Sequence, residues 1–146
     1  MNTTIRQYQA SDMNDLMSAW ENANSLAQPF LQKDFVAKVR KDIPALYLPN
    51  TDTWVAEFDN HLVGFMALIG NEVCAIFLQP EYHGKKIGKM MMDKAQELHG
   101  NIELEVFKKN WIGLKFYSKY GFELIEEKIH EPTGELLLRL QLNAKP

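Results

Sequence analysis

The stretch from Glu72 to Phe107 constrains the fold more than any other. Glu72–Leu78 (Glu-Val-Cys-Ala-Ile-Phe-Leu) is a run of strand-forming residues closed by Pro80. A turn with glycines and lysines follows, and Ile87, Met90, Met91, Lys94-Ala95 and Leu98 then give a helix over Gly88–His99 one apolar face. His99-Gly100 is a good helix stop. In Ile102–Phe107, Ile102, Leu104 and Val106 alternate with Glu103, Glu105 and Phe107, the pattern of a half-buried strand. A helical crossover returns the chain in its original direction, so the two strands are expected to be parallel.

The other elements predict antiparallel neighbours. Ile5–Tyr8 is a short strand, Ser11-Asp12 opens a helix running to about Ser25, and Phe35, Val36 and Val39 mark a second helix stopped before Pro44. Thr53–Phe58 and Leu62–Ile69 form a hairpin across Asp59-Asn60, and Gly70-Asn71 turns the chain into Glu72–Leu78. Asn110 caps a helix over Trp111–Tyr120, with Ile112, Phe116 and Tyr120 as its inward stripe. Phe122–His130 and Leu136–Leu142 close the fold as a hairpin. The expected class is α/β (α+β), a mixed, mostly antiparallel sheet, in a single domain spanning residues 1–146.

Composition narrows the function. The chain has 46% hydrophobic and 24% charged residues and a net charge of −3, with no general attraction for nucleic acid or an anionic membrane. Its longest apolar stretches fall short of the ~20 residues of a membrane span, and the N-terminus lacks a signal peptide's apolar core, so a soluble, cytoplasmic protein is expected. The one cysteine, Cys74, has no disulfide partner and reads as a buried, inert thiol. His61, His83, His99 and His130 show no ligand spacing, so no metal is expected.

Gln79–Lys89 carries the most chemical information. A strand ends, a turn follows and a helix begins, so the N–H groups from about Gly84 to Lys89 should be free and backed by the helix dipole. Gly84 and Gly88 allow close approach, and Lys85, Lys86 and Lys89 add three cations. The arrangement suits a diphosphate-bearing ligand; the other reading is a solvated, lysine-rich helix start. It is neither a P-loop nor a dinucleotide fingerprint, because both glycine patterns are absent.

Pro80-Glu81-Tyr82-His83-Gly84-Lys85-Lys86-Ile87-Gly88 resembles motif A of the GCN5-related N-acetyltransferase (GNAT) superfamily, whose loop wraps the pyrophosphate of acetyl-CoA. His83 stands where that family usually has Arg or Gln, and Lys86 where it has its first glycine. Leu104-Glu105-Val106, Asn110, Phe116-Tyr117 and Gly121-Phe122 resemble the family's second signature at matching offsets. The resemblance implies the GNAT fold, with a central splayed parallel strand pair and helices on both faces. It implies acetyl-CoA as cosubstrate and direct acetyl transfer to a primary amine of a small molecule, a peptide N-terminus or a lysine. A CoA-binding regulatory module without catalysis is the alternative. A homodimer is possible, as dimers are common in the family.

Residue by residue, the resemblance assigns the strand end Phe77-Leu78 to the pantetheine arm, with the Leu78 N–H facing the thioester carbonyl. His83, Gly84, Lys85, Lys86, Gly88 and Lys89 become the cofactor loop. Asn110 ties down the pantetheine arm or the splayed strand. Tyr117, one residue off the inward stripe, becomes the proton donor to the leaving thiolate; its other reading is an ordinary helix aromatic. Glu105 becomes the base for the amine, with Glu103 in reserve, and its other reading is a surface glutamate.

Overall fold

A computed structural model describes residues 2–144. The strands are β1 (Thr3–Gln7), β2 (Asp52–Phe58), β3 (His61–Ile69), β4 (Glu72–Leu78), β5 (Ile102–Phe107), β6 (Glu123–His130) and β7 (Glu135–Leu142). The helices are α1 (Met13–Ala27), α2 (Lys33–Asp42), α3 (Leu48–Asn50), α4 (Ile87–His99) and α5 (Trp111–Tyr120). The seven strands form one sheet in the order β1-β2-β3-β4-β5-β7-β6, antiparallel throughout except at β4–β5.

Each face of the sheet has its own core. On one side Ile87, Met91, Met92 and Ala95 of α4 and Tyr117 of α5 pack on Val63, Met66, Leu104 and Val106. On the other, Leu16 and Trp20 of α1 and the buried Ile43 and Leu48 pack on Val55 and Phe65. Asp59 and Asn60 both take positive φ, as the tight β2–β3 turn requires.

Some local expectations hold and others are corrected. Ser11-Asp12 leads into α1 through a short 3-10 turn, Ala10–Asp12, with Asp12 at the N-cap position but its side chain not capping the helix. Asp12 holds that turn by accepting from the Gln9 N–H at 2.8 Å and from Arg6 at 2.8 and 2.9 Å. The second helix, α2, ends at Asp42, before Pro44 as the sequence predicts. The path continues through one π turn, Ile43–Tyr47, in which the Leu48 N–H reaches the Ile43 carbonyl. The wider turn accommodates a residue that has no N–H to donate. In α4, Met90 and Leu98 are exposed and Met92 is buried. In α5 the buried line is Tyr117, while Ile112, Phe116 and Tyr120 are half-buried. The inward face is broad and centred on Tyr117, with Leu114, Phe116 and Tyr120 beside it.

The β4–β5 pair separates almost at once. Only Glu72↔Glu103 and Val73↔Leu104 are in register, although both strands continue. A bulge at Cys74 lies where they part, since Leu68 faces Val73 and Ala67 faces Ala75. Cys74 is exposed, not buried as expected. Its thiol is pushed up by partial desolvation and then by Glu72, so it stays protonated and a poor nucleophile.

Beyond the bulge, β3 is the one strand paired with β4 among the described residues, and Gly64 sets how closely. A Cβ at Gly64 would lie 2.7 Å from the Phe77 carbonyl oxygen and 3.0 Å from Leu78 Cδ1. Gly64→Ala is therefore expected to push the end of β4 aside and to destabilise by about 2 kcal/mol. Thermal unfolding checks this, and an unchanged Tm means that β3 and β4 can separate freely.

Candidate active site

The chain leaves β4 at Leu78, makes the short 3-10 turn Pro80–Tyr82 and enters α4 through Lys86. Lys86 takes φ +66°, a left-handed conformation, and no side chain caps α4. Met90 makes the first hydrogen bond of the helix, to the Lys86 carbonyl at 3.1 Å. Among the described residues, no N–H from Gly84 to Lys89 has a protein acceptor. The free donors that the sequence predicts are thus present at a helix start with no acidic residue in its first turn.

The side chains around this turn divide unevenly. Gly84 has φ +83° and open space where a Cβ would stand. Gly88 is required by packing as much as by any ligand, because its Cβ would meet Phe116 at 3.2 Å. Lys89 pairs with Asp93 at 2.8 Å, and the Lys85 ammonium sits 5.7 Å from the Phe58 ring. Phe58, Gly84, Lys85 and Lys86 line one shallow depression. His83 departs from its expected role, since its Nε2 lies 3.2 Å from the Leu78 carbonyl. A carbonyl only accepts, so Nε2 donates there and that N–H is not free for a phosphate.

Left-handed backbone at a lysine costs about 1–2 kcal/mol that glycine avoids. Lys86→Gly is expected to raise stability by about 1 kcal/mol, some of the gain being lost to the freer unfolded chain. Denaturant unfolding checks the direction. A loss of stability would mean that the Lys86 side chain itself holds the turn.

The open gap between β4 and β5 lies beside this loop. The Gln79 N–H donates to the Val63 carbonyl at 2.8 Å, and Phe77 is in register with Phe65. Strand alternation therefore turns the Ile76 and Leu78 N–H groups away from β3, toward β5, which has already diverged. The Phe77 side chain stacks on Phe65, with ring centroids 5.7 Å apart, in the core on the α1 side. The Asn22 amide donates to Gln79 Oε1 at 2.9 Å and ties α1 to the end of β4.

Asn110 caps α5 as expected. Its Oδ1 accepts from the Gly113 N–H at 2.9 Å, which leaves its NH2 group unpaired among the described residues. Gly113 permits this, because a Cβ there would fall 2.9 Å from Asn110 Nδ2. Tyr117 is 8% exposed, its ring against Phe116 and Phe122. Burial pushes its phenol well above the ordinary range, so it is fully protonated at neutral pH. The hydroxyl has no protein partner among the described residues, yet it is not among the fully enclosed polar atoms left unpaired. It is therefore buried but not completely enclosed.

Glu105 and Tyr117 lie on opposite faces of the sheet. Leu104 and Val106 share the core with Tyr117, so Glu105 and Glu103 project to the α1 side. There Arg139 of β7, directly opposite Glu105, binds Glu72 at 2.6 Å, Glu103 at 2.8 Å and Glu105 at 3.3 Å. Lys128 of β6 also contacts Glu105. Burial would raise the Glu105 carboxyl, but Lys128 and then Arg139 outweigh it and hold it below the usual range.

The reading of the sequence did not include Arg139, Lys128 or Gly64. Two of them leave a signal: Arg139 is the lone cation in an apolar strand, and Gly64 interrupts a long apolar run, which marks close backbone approach. An aromatic group on the α1 side was also outside it. Phe107 meets His130 at 5.2 Å and Phe30 at 5.8 Å, and Phe35 meets His130 at 5.4 Å.

Residues 49–124 match the family described as an acetyltransferase (GNAT) domain. The chain belongs to the GNAT acetyltransferase family. The peptidyl-lysine N-acetyltransferase YiaC of Escherichia coli (strain K12) is 29% identical to this GNAT chain over 123 residues, 84% of each. The solution structure of apo-form YjaB from Escherichia coli has a TM-score of 0.88 at 24% identity, covering 99% of this chain and 100% of that one. The PaiA N-acetyltransferase from Thermoplasma acidophilum, solved in complex with coenzyme A, has a TM-score of 0.77 at 20% identity and covers 99% and 100%. The GNAT fold with helices on both faces stands as the sequence suggested, and acetyl transfer is its class of chemistry. Among the described residues no helix is long and apolar enough to cross a membrane.

Proposed function

We propose that this GNAT protein transfers acetyl from acetyl-CoA directly to a primary amine, a lysine side chain foremost, within a ternary complex. One observation carries the reading: two parallel strands that separate after two residue pairs, with unpaired N–H groups on the open side. The coenzyme A held by PaiA and the peptidyl-lysine named for YiaC support the choice of substrates.

The free N–H groups of Gly84–Lys89 would hold the diphosphate, with Lys85 and Lys86 adding charge, and the Asn110 amide would hold the pantetheine arm. Acetyl-CoA supplies an activated carbonyl and a thiol leaving group. The Leu78 N–H, fixed by the β3 ladder on the other side of its strand, stabilises the negative charge that develops on the carbonyl oxygen. Glu105 faces the gap from the α1 side, where an amine can enter, and Tyr117 faces it from the other. Glu105 has low proton affinity, which suits passing the amine's proton on to water rather than storing it. Tyr117 keeps its proton at neutral pH and gives it to the leaving sulfur.

Initial rates with acetyl-CoA and a panel of lysine peptides, polyamines and small amines test the reading. Intersecting double-reciprocal lines are expected for direct transfer. Parallel lines, or no turnover on any amine despite CoA binding, would overturn it.

A further inference from the structure

Lys128 already makes the contact with Glu105 that the preceding reading gives to the acceptor. At the start of transfer the acceptor is a protonated primary amine in contact with the Glu105 carboxylate. The Lys128 ammonium makes that contact in the resting protein, its side chain 44% exposed beside a Glu105 that is 28% exposed. Other lysines form surface ion pairs too, such as Lys108 with Glu127 at 2.9 Å, but those carboxylates lie outside the site. Arg139 engages Glu105 as well, yet a guanidinium does not give up its proton. The amine of Lys128 can.

We propose that the active site acetylates Lys128 within the same chain. This rests on Glu105 acting as the base. The Lys128 ammonium passes one proton to Glu105, which releases it to water. The freed lone pair forms a bond to the acetyl carbon, and the carbon–sulfur bond breaks. The second amine proton is lost as the amide forms and balances the one taken up by the departing thiolate. The products are Nε-acetyl-Lys128 and the CoA thiol. Acetylation removes the Lys128 charge and its hold on Glu105, so an external amine no longer has a tethered competitor.

The test is to incubate the protein with acetyl-CoA and no acceptor, and to follow each lysine by peptide mass spectrometry. Lys128 is expected to gain one acetyl group at least tenfold faster than Lys108, at a rate independent of protein concentration, and Glu105→Gln is expected to slow it tenfold or more. Acetylation of Lys128 no faster than Lys108, or unaltered by Glu105→Gln, overturns the proposal. So does a rate that rises with protein concentration, because the transfer is then between molecules. A parallel assay on external amines separates the two readings. If amines are acetylated and Lys128 is not, only this proposal fails. If neither is acetylated while CoA binds, the catalytic reading fails with it.

Discussion

Tyr117→Phe is expected to lower kcat by about 10²–10⁴-fold, the usual contribution of a positioned proton donor. The structure makes this a clean test. The phenol has no protein partner among the described residues, so its removal strands no buried donor or acceptor. The ring contacts with Phe116 and Phe122 remain, so folding should be unaltered. CoA affinity should change by less than about twofold, because the lost interaction forms only as the sulfur departs. Steady-state kinetics beside a calorimetric Kd for CoA separate the two quantities. An unchanged kcat removes Tyr117 from the mechanism and leaves it as a packing aromatic.

Arg139→Met should lower stability by as much as Gly64→Ala, and in a pH-dependent way. It leaves the Glu72, Glu103 and Glu105 carboxylates close together without the guanidinium that binds all three. Breaking a fully buried ion pair costs about 3–5 kcal/mol, and partial exposure here reduces the expected loss to about 2 kcal/mol. The loss should depend on pH. The folded protein holds the Glu105 carboxyl below its ordinary value: burial opposes this, but Lys128 and then Arg139 prevail. A depressed carboxyl stabilises the fold above its unfolded pKa, and the stabilisation disappears as pH falls through the folded value. The variant has less of it to lose. The gap between wild type and Arg139→Met should therefore be widest near neutral pH and should narrow as pH drops below about 4. Urea unfolding at neutral and acidic pH checks this. A gap that is constant across pH would mean that Arg139 contributes through packing alone.

Most of this architecture was legible because its elements are bounded by local chemistry. β4, β5 and α5 fall where alternation and the Asn110 and Gly121 boundaries place them. The parallel crossover follows from order alone. Pro44 marks the end of α2 as expected, whereas the single π turn that carries the path onward leaves no signal in the sequence. The free N–H groups of the loop follow from a strand–turn–helix sequence and the dipole. The role of Gly88 does not, since the Phe116 ring that fills the space beside it is distant in the chain. The ion pairs around Glu105 were equally out of reach. They join residues 34 and 67 positions apart, and only the strand order brings them together.

That strand order has a consequence for biosynthesis. Among the described residues β7 is the last strand in sequence, but it lies inside the sheet, between β5 and β6. While the polypeptide is being made, the helices and the first six strands emerge before Arg139, which binds all three carboxylates at the vertex of the gap. A nascent chain halted before Arg139 holds the Gln79–Lys89 loop beside glutamates that lack their shared guanidinium, with β6 lacking its inner neighbour. The final hairpin thus acts as a latch: the cleft acquires its shape only once β7 has inserted between β5 and β6.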